Sequence, residues 1–183
     1  STEVSPYSQI RRPSEYITKG TEQLERAGVN GSKLVTYEII YKDGVESSRR
    51  VISEDVVSEP VDEIVVYGCG GPVTTPSGEQ LSFVRKIDGE ATAYTCEGQS
   101  WNTTFTGTTA RVGAIAVDPK YIPLGTVVYI SSPDGESWVY GTARAEDTGG
   151  AIKGHIIDLY MNTYRECINF GRRSCSIYIL ETN

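Results

Sequence analysis

Short runs of β-branched and aromatic residues, separated by turns rich in glycine and proline, follow one another along most of the 183-residue chain. Residues of this kind favour extended backbone. In the second half the runs are residues 91–95, 113–117, 126–130, 138–145 and 174–180. The sequence therefore predicts a mainly β protein, and so many short strands in one half indicate a small closed barrel, which leaves few free sheet edges.

Two segments favour helix instead. Residues 21–27 combine strong helix formers, and Gly28 would end a helix there. Residues 162–170 begin at Asn162, a residue that can cap a helix, and stop at Gly171. We expect one short helix in each half of the chain.

The composition changes near residue 70. Residues 69–78 hold three glycines and two prolines, so they are not expected to continue a strand or a helix. They predict an interdomain linker at residues 71–79. The expected domains on either side are residues 1–70 and residues 80–183.

The first of these domains has a β pattern as well. Strand-like runs cover residues 33–41, 45–53 and 62–67, and residues 42–44 supply a hairpin turn. About seventy residues built from hairpins bury little apolar surface. We expect a thin, elongated domain that suits a spacer or an adhesion module better than an enzyme.

The net charge of −7 is spread over both halves, −4 in residues 1–72 and −3 in residues 73–183. Phosphate binding needs a clustered basic face, so nucleic acid is not an expected partner. No apolar run approaches the roughly 18 residues that span a bilayer. Ser1 opens a polar segment and no signal peptide, so we expect a mature or excised chain, monomeric and without a membrane segment.

Four cysteines stand at positions 69, 96, 167 and 175. They form no Cys-x-x-Cys pair, and with a single histidine the chain gives poor support for a metal site. An even number of cysteines fits disulfides and an oxidising compartment outside the cytoplasm. Cys167 with Cys175 is a plausible local bridge that leaves Cys69 with Cys96, and four free buried thiols are the alternative.

Three aspartates stand among apolar, strand-like residues, where an isolated carboxylate is costly to desolvate unless it is paired or used. They are Asp118, Asp147 and Asp158. In its strand, Asp158 alternates with Ile157 and Leu159 and should face away from both. Such a position should raise the pKa of Asp158, as a general acid requires.

Each aspartate also has a structural interpretation. Asp147 could cap the tight turn at residues 148–150, Asp158 could form a salt bridge, and Asp118, which precedes a proline, could initiate a turn. The glycines of the turn would equally let the backbone approach a ligand closely. Both interpretations stay open at this point.

Two further polar residues lie between Asp147 and Asp158. Lys153 could neutralise the carboxylates, bind a carboxylated substrate or remain solvated. His155 is the only histidine, and its glycine-flanked loop favours an exposed residue over a catalytic base.

The first half resembles the G-five domain, a glycine-marked module of secreted bacterial cell-wall proteins and adhesins. The matching segments are Lys19-Gly20 and residues 27–31, 37–44 and 60–68. This resemblance implies a spacer or the binding of glycans.

The second half resembles the three-aspartate domain of stationary-phase-survival proteins, which is related to the catalytic part of the membrane-bound lytic transglycosylase A family. Its three defining aspartates would be Asp118, Asp147 and Asp158. Ile156 departs from the pattern, because many relatives place an arginine ahead of the last aspartate. The other matching motifs are Ala93-Tyr94, Thr106-Gly107-Thr108 and residues 110–113, 115–119, 122–126, 145–154, 157–160 and 170–173.

The resemblance implies a double-psi β-barrel that cleaves the β-1,4 bond between N-acetylmuramic acid and N-acetylglucosamine in peptidoglycan. Asp158 would act as acid and then base, while Asp147 and Asp118 shape the site and stabilise the transition state. The reaction needs no cofactor and no metal. The residues expected to bind the sugar strand are Tyr94, Thr106, Gly107, Thr148, Gly149, Gly150 and Lys153.

Two other functions remain compatible with these residues. A muramidase on the same scaffold would add water and leave a reducing end. A non-catalytic protein that binds cell-wall glycans would use the aspartates for hydrogen bonds or for Ca²⁺. All three functions place the protein outside the cell or in the bacterial cell wall, and therefore require export.

Overall fold

A computed structural model describes residues 1–182, which form two compact units. The first unit comprises residues 1–13 and 21–67, and the second comprises residues 14–20 and the chain from residue 68 onward. Residue 183, the last of the expected barrel domain, lies outside the described residues. The domain boundaries at residues 70 and 80 stay a prediction.

Six strands precede residue 69, in two three-stranded sheets of order β1-β4-β5 and β2-β6-β3. Asp43 and Gly44 take positive φ angles of 54° and 79° between β4 and β5, which confirms the predicted hairpin turn. The slender core holds Val35, Ile64 and Val65. The strands are β1 (Thr2–Ser5), β2 (Gln9–Lys19), β3 (Glu22–Arg26), β4 (Gly31–Lys42), β5 (Val45–Ser58) and β6 (Glu63–Gly68).

The helix expected at residues 21–27 is wrong. Residues 22–26 form strand β3, which pairs antiparallel with β6 so that Leu24 lies opposite Val65. All five side chains of β3 are exposed. Helix propensity is a weak preference of a few tenths of a kcal/mol per residue, and backbone hydrogen bonds to β6 override it here.

The remaining strands and one helix follow in the second unit. They are β7 (Gly71–Thr74), β8 (Gln80–Tyr94), β9 (Ala114–Ala116), β10 (Val127–Ser131), β11 (Val139–Asp147), β12 (Ile156–Tyr160), α1 (Tyr164–Phe170) and β13 (Arg173–Leu180). All five strands predicted in this half are present. The mainly β class is thereby confirmed.

The linker expected at residues 71–79 is part of a hairpin instead. Strand β7 pairs antiparallel with β8, and Pro72 lies opposite Ser82. Because β7 is the last strand of its sheet, the missing N–H of Pro72 costs no ladder hydrogen bond on its free side. The glycines and prolines therefore mark an edge strand and its turn.

Six strands of the second unit close into a ring. Their order is β12-β9-β11-β10-β13-β8, and β8 pairs in turn with β12. The pairs β8–β12 and β9–β11 are parallel, and the other four are antiparallel. The buried residues inside the ring are Ile87, Ala91, Ile115, Val117, Ile122, Val128, Ile130, Ala143, Ala145, Ile157, Leu159, Cys175 and Ile177.

Helix α1 begins one residue later than expected. The hydroxyl of Thr163 accepts a hydrogen bond from the Glu166 backbone N–H, and the Glu166 carboxylate accepts one from the Thr163 N–H. This reciprocal capping box makes Thr163 the cap in place of Asn162. At the other end the Gly171 N–H donates to the Cys167 carbonyl, as expected for a stop at this glycine.

The expected disulfides are wrong, because all four cysteines are free thiols. Cys175 points into the core of the ring, and burial raises its pKa to about 12. Cys167 lies on α1, Cys96 is buried, and Cys69 is exposed. Cys167 and Cys175 are close in sequence, but one lies on α1 and the other points into the core, so their thiols do not meet.

In the part of the chain that the structure describes, no helix is long and apolar enough to cross a membrane.

The contact between β8 and β12 leaves no room for a side chain at Gly89. A Cβ atom there would lie 2.3 Å from the carbonyl oxygen of His155, which also accepts a hydrogen bond from the Glu90 N–H. We predict that Gly89→Ala lowers the free energy of unfolding by at least about 2 kcal/mol, because the ring would have to open locally. Urea unfolding followed by circular dichroism measures the effect.

Gly150→Ala is the matched control, since a Cβ there meets nothing within 4 Å and the change should stay within about 0.5 kcal/mol. Equal stability of Gly89→Ala and the wild type would contradict the closed ring.

Candidate active site

Asp147 and Asp158 lie on the two strands that flank β9, on either side of Ala116. Ala116 of β9 lies opposite Asp147 of β11 in the parallel pair and opposite Asp158 of β12 in the antiparallel pair. Neighbouring strands lie about 4.8 Å apart, so the two aspartates are roughly 10 Å apart at their Cα atoms. Closure of the ring therefore brings together carboxylates that stand eleven positions apart in sequence.

Asp158 is partly buried, as the alternation in its strand predicted. Its neighbours Ile157 and Leu159 are wholly buried in the core and point the other way. Burial raises the pKa of Asp158; the hydrogen bond from the Thr92 hydroxyl to Oδ1 at 2.8 Å lowers it, and the nearby charge of Asp147 raises it further. The net direction is upward, which favours the protonated acid.

Asp147 is a well-satisfied acceptor at the end of β11. Its Oδ2 accepts a hydrogen bond from the Tyr94 hydroxyl at 3.2 Å, and its Oδ1 accepts from the N–H groups of Phe105 and Thr148 at 3.0 and 2.9 Å. These bonds tie three segments to one carboxylate. Asp147 thus positions the exposed ring of Phe105 and the tyrosine beside it.

Tyr94 belongs to the same cluster. Burial raises its pKa strongly, and the charge of Asp147, the hydrogen bond to it and the charge of Asp158 act in the same direction. Its ring packs edge-on against Tyr160 with centroids 5.5 Å apart. The phenol is therefore a neutral donor, held in place by its hydrogen bond to Asp147 and by its packing against Tyr160.

Asp118 has a different setting. Its carboxylate accepts hydrogen bonds from the N–H groups of Gly154 and Lys120 at 2.9 and 3.1 Å, and these bonds lower the pKa of Asp118. The side chain is buried. Asp118 thus braces the loop that leads from Asp147 to Asp158.

The sequence reasoning missed Glu146, which directly precedes Asp147 and is 4% exposed. Its carboxylate accepts two hydrogen bonds from the Arg111 guanidinium at 2.7 and 2.9 Å, and one from the Thr108 hydroxyl. The Arg111 bonds are the main cause of the lowered pKa of Glu146. Its neighbours in sequence, Ala145 and Asp147, gave no local signal that Glu146 would be buried.

The Thr-rich loop of residues 102–110 is anchored by these contacts. The Thr106 N–H donates to the Glu146 carbonyl at 3.0 Å, and Gly107, with a φ of 85°, donates its N–H to the Thr104 carbonyl. The structure thus places the predicted residues Thr106 and Gly107 in the same loop as Phe105. No contact tests whether they bind substrate, so this stays a prediction.

The turn after Asp147 is also placed beside the carboxylates. The Ile152 N–H donates to the Gly149 carbonyl at 3.1 Å, and a Cβ on Gly149 would lie 2.8 Å from the Ile152 side chain. Gly150 faces open space. Lys153 lies near enough to Asp118 to contribute to its lowered pKa, whereas His155 packs edge-on against Tyr121.

A polar groove of about 340 Å³ is lined in part by Tyr160, the tyrosine that packs against Tyr94. Trp101, which is 53% exposed, supplies an aromatic face there. The other lining residues are Cys96, Glu97, Gln99, Ser100, Asn102, Ala110, Tyr160 and Asn162. Tyr160, which lines this groove, packs against Tyr94, and Tyr94 donates a hydrogen bond to Asp147.

Among residues 1–182, no group of three or more His, Cys, Asp or Glu side chains is arranged to hold a metal ion.

Two segments of the chain match the models of known domain families. Residues 1–69 match the model of the G5 domain, and residues 113–181 match that of the 3D domain. The first part of the chain is thus similar to the G5 domain and the last part to the 3D domain, which confirms both resemblances found in the sequence.

Curated relatives come from Bacillus subtilis strain 168. The cell wall-binding protein YocH is 40% identical over 95 residues, which cover 49% of this chain and 31% of YocH. The putative cell wall shaping protein YabE is 30% identical over 163 residues, covering 79% of this chain and 38% of YabE. The chain therefore spans about a third of the length of these relatives.

Among solved structures, the crystal structure of MltA from E. coli is similar, with a TM-score of 0.39 and 23% identity over 46% of this chain and 29% of MltA.

The Arg111–Glu146 ion pair should hold the Thr-rich loop in place. We predict that Arg111→Met lowers the free energy of unfolding by about 2 kcal/mol at neutral pH, because it leaves a buried carboxylate without its partner. The pKa of Glu146 is lowered in the folded state, so this contribution is present above the unfolded pKa and is lost as the pH falls through the folded one. Chemical unfolding at several pH values measures it.

Arg172→Met is the control, because Arg172 pairs with Glu90 where both side chains are well exposed. That change should cost less than about 1 kcal/mol. Equal losses in the two variants would contradict a structural role for the buried pair.

Proposed function

We propose that this chain, a G5 domain followed by a 3D domain, is a peptidoglycan lytic transglycosylase of the bacterial cell wall. The observation that carries the proposal is Asp158, a partly buried carboxyl group with a raised pKa beside a second carboxylate. Burial and the nearby charge favour the protonated form of this carboxyl group, which is the form that a general acid needs. The bond cleaved would be the β-1,4 link from N-acetylmuramic acid to N-acetylglucosamine.

We infer that Oδ2 of Asp158 carries the proton, because Oδ1 already accepts a hydrogen bond from the Thr92 hydroxyl at 2.8 Å. Asp147 favours this protonated state through its charge. The two strands on either side keep the carboxyl group in place before substrate arrives, which lowers the cost of orienting it.

The reaction then proceeds with one carboxyl group. Asp158 donates its proton to the glycosidic oxygen as the bond from that oxygen to C1 of the muramyl residue breaks. The C6 hydroxyl of the same residue attacks C1, and its proton passes to the Asp158 carboxylate. The products are a 1,6-anhydromuramyl end and a free 4-hydroxyl on N-acetylglucosamine, no water is consumed, and Asp158 is protonated again.

The charge of the transition state calls for the second carboxylate. Positive charge develops on the muramyl ring as the bond breaks, and Asp147, which lies two strands from Asp158 across β9, would stabilise it. The hydrogen bond from the Tyr94 hydroxyl holds the Asp147 carboxylate in place. Asp118 has a positioning role, since its hydrogen bond to the Gly154 N–H shapes the loop before β12.

The aromatic surfaces beside the carboxylates suit a sugar strand. Phe105 and Trp101 are 69% and 53% exposed, and aromatic faces of this kind pack against the apolar faces of sugar rings. The amides of Gln99, Asn102 and Asn162 in the groove can bond the acetamido and hydroxyl groups. The sugar strand would pass along this groove to reach Asp158.

The cellular setting follows from the same proposal. Two relatives carry names that refer to binding or shaping the cell wall. For this chain we infer export and association with the cell wall, with the G5 domain as a spacer or a glycan-binding module.

Asp158→Asn should abolish lytic activity. The amide cannot donate an acidic proton and then take one back, so we expect the rate to fall by about 10³-fold or more. Purified peptidoglycan is digested with the wild type and the variant, and mass spectrometry of the soluble fragments identifies anhydromuramyl ends. Asp88→Asn, which removes an exposed carboxylate elsewhere on the barrel, should leave the activity unchanged.

Three results would redirect the proposal. Reducing ends in place of anhydro ends would make the protein a hydrolase. Full activity of Asp158→Asn would remove that residue from the acid role. Retention of wall fragments without any cleavage would indicate a binding protein.

The alkaline limb of the activity profile should move in opposite directions in two variants. Asp147→Asn removes the like charge that raises the pKa of Asp158, so activity should fall at a lower pH than in the wild type. Thr92→Val removes the hydrogen bond that lowers this pKa, so activity should persist to a higher pH. The initial rate of fragment release, measured across pH, gives the position of the alkaline limb in each variant.

A limb that stays in place in both variants would mean that the titrating group is not Asp158.

A further inference from the structure

A second cleft, of about 390 Å³, adjoins the polar groove at Tyr160 and Asn162. Its floor is apolar, and its rim carries one acidic and one basic side chain. No step of the proposed reaction uses it. The lining residues are Val112, Tyr140, Tyr160, Met161, Asn162, Glu166, Asn169, Phe170 and Arg173.

The basic side chain is held rigidly. The Arg173 Nε donates to the Phe170 carbonyl at 2.7 Å, and its Nη2 donates to the Asn169 carbonyl at 3.1 Å. The guanidinium also stacks over the Phe170 ring at 4.7 Å. Among residues 1–182 its Nη1 has no hydrogen-bond partner, so this cation is oriented in advance with one donor group free.

The acidic side chain is held just as firmly. Glu166 Oε2 accepts from the backbone N–H and the hydroxyl of Thr163, at 2.9 and 3.0 Å, in the capping box of α1. Its Oε1 has no hydrogen-bond partner within the described part of the chain. The cleft therefore presents a fixed cation and a fixed anion above an apolar floor.

The cleft is continuous with the polar groove beside the aspartates. Tyr160 and Asn162 line both. Tyr160 in turn packs against Tyr94, which donates to Asp147. A substituent carried by a sugar at the carboxylates would thus reach the second cleft by crossing Tyr160.

We propose that this second cleft binds the stem peptide of peptidoglycan, with a peptide carboxylate on Arg173 and the side-chain ammonium of the diamino acid on Glu166. The inference rests on the proposed function. A stem peptide matches the cleft in three ways. It carries small apolar alanine side chains for the floor, it has both signs of charge, and it hangs from the muramyl residue that would lie at Asp158. A bare sugar strand lacks the ammonium group.

The single methionine of the chain gives a direct probe, because Met161 lines the cleft. Protein labelled with ¹³C at the methionine methyl group shows one signal from the folded chain. We would titrate it with a free stem tetrapeptide, and separately with glycan strands from which the peptides have been removed by an amidase. We expect the peptide, and not the peptide-free glycan, to shift this signal. The shift should saturate as peptide is added, and the saturation curve gives the affinity.

Two variants test the charges. Glu166→Gln keeps the capping box, since glutamine serves equally at this helix position, but it removes the negative charge. Arg173→Gln removes the positive charge. Each should weaken peptide binding about three- to tenfold, a range that reflects partly exposed charge pairs. Glu90→Gln and Arg172→Gln remove a neighbouring exposed ion pair and should leave the affinity unchanged.

The outcomes separate the inference from the function on which it rests. If the peptide leaves the methionine signal unmoved while peptide-free glycan is still cleaved, the peptide site is wrong and the lytic activity stands. If the peptide binds but glycan is never cleaved, the proposed function fails and the cleft remains a peptide site. Equal affinity in all four variants would overturn recognition by Arg173 and Glu166. Thermal unfolding of each variant shows whether it is folded.

Discussion

The double pairing of β12 is the constraint on which the site depends. This strand lies parallel to β8 and antiparallel to β9, and these two ladders complete the ring. Leu159 is thereby buried in the core, and Asp158 is turned to the opposite face beside β9. The same hydrogen bonds that close the barrel therefore desolvate the carboxyl group and hold it opposite Ala116.

This arrangement couples stability to chemistry. Burying Asp158 near Asp147 disfavours its ionised form, so the fold bears a cost that the surrounding core offsets. Asp147 is by contrast supplied with three donors, and the buried Glu146 next to it with a guanidinium. Of these three carboxylates, Asp158 is the one that has a single hydrogen-bond donor, the Thr92 hydroxyl, among the described residues.

Where the sequence misled, backbone pairing overrode a local preference. Residues 22–26 contain good helix formers, yet β6 offers them a ladder of hydrogen bonds. Pro72 argues against a strand in isolation, but it is tolerated at the edge of the sheet. The cap of α1 moved by one residue because Glu166 lies three positions after Thr163 and completes a box that Asn162 cannot. Each outcome depended on a partner that the local pattern does not name.

The sequence by itself determined the class of the fold, the positions of most strands along the chain and the three aspartates as candidates. It could do so because strand alternation and turn residues act locally. Alternation alone showed that Asp158 would face away from Ile157 and Leu159. Only the tertiary structure decided which groups meet: Asp147 with Tyr94, Glu146 with Arg111, and Arg173 with Phe170. These partners are distant in sequence or depend on the direction of a side chain, and closure of the ring sets both.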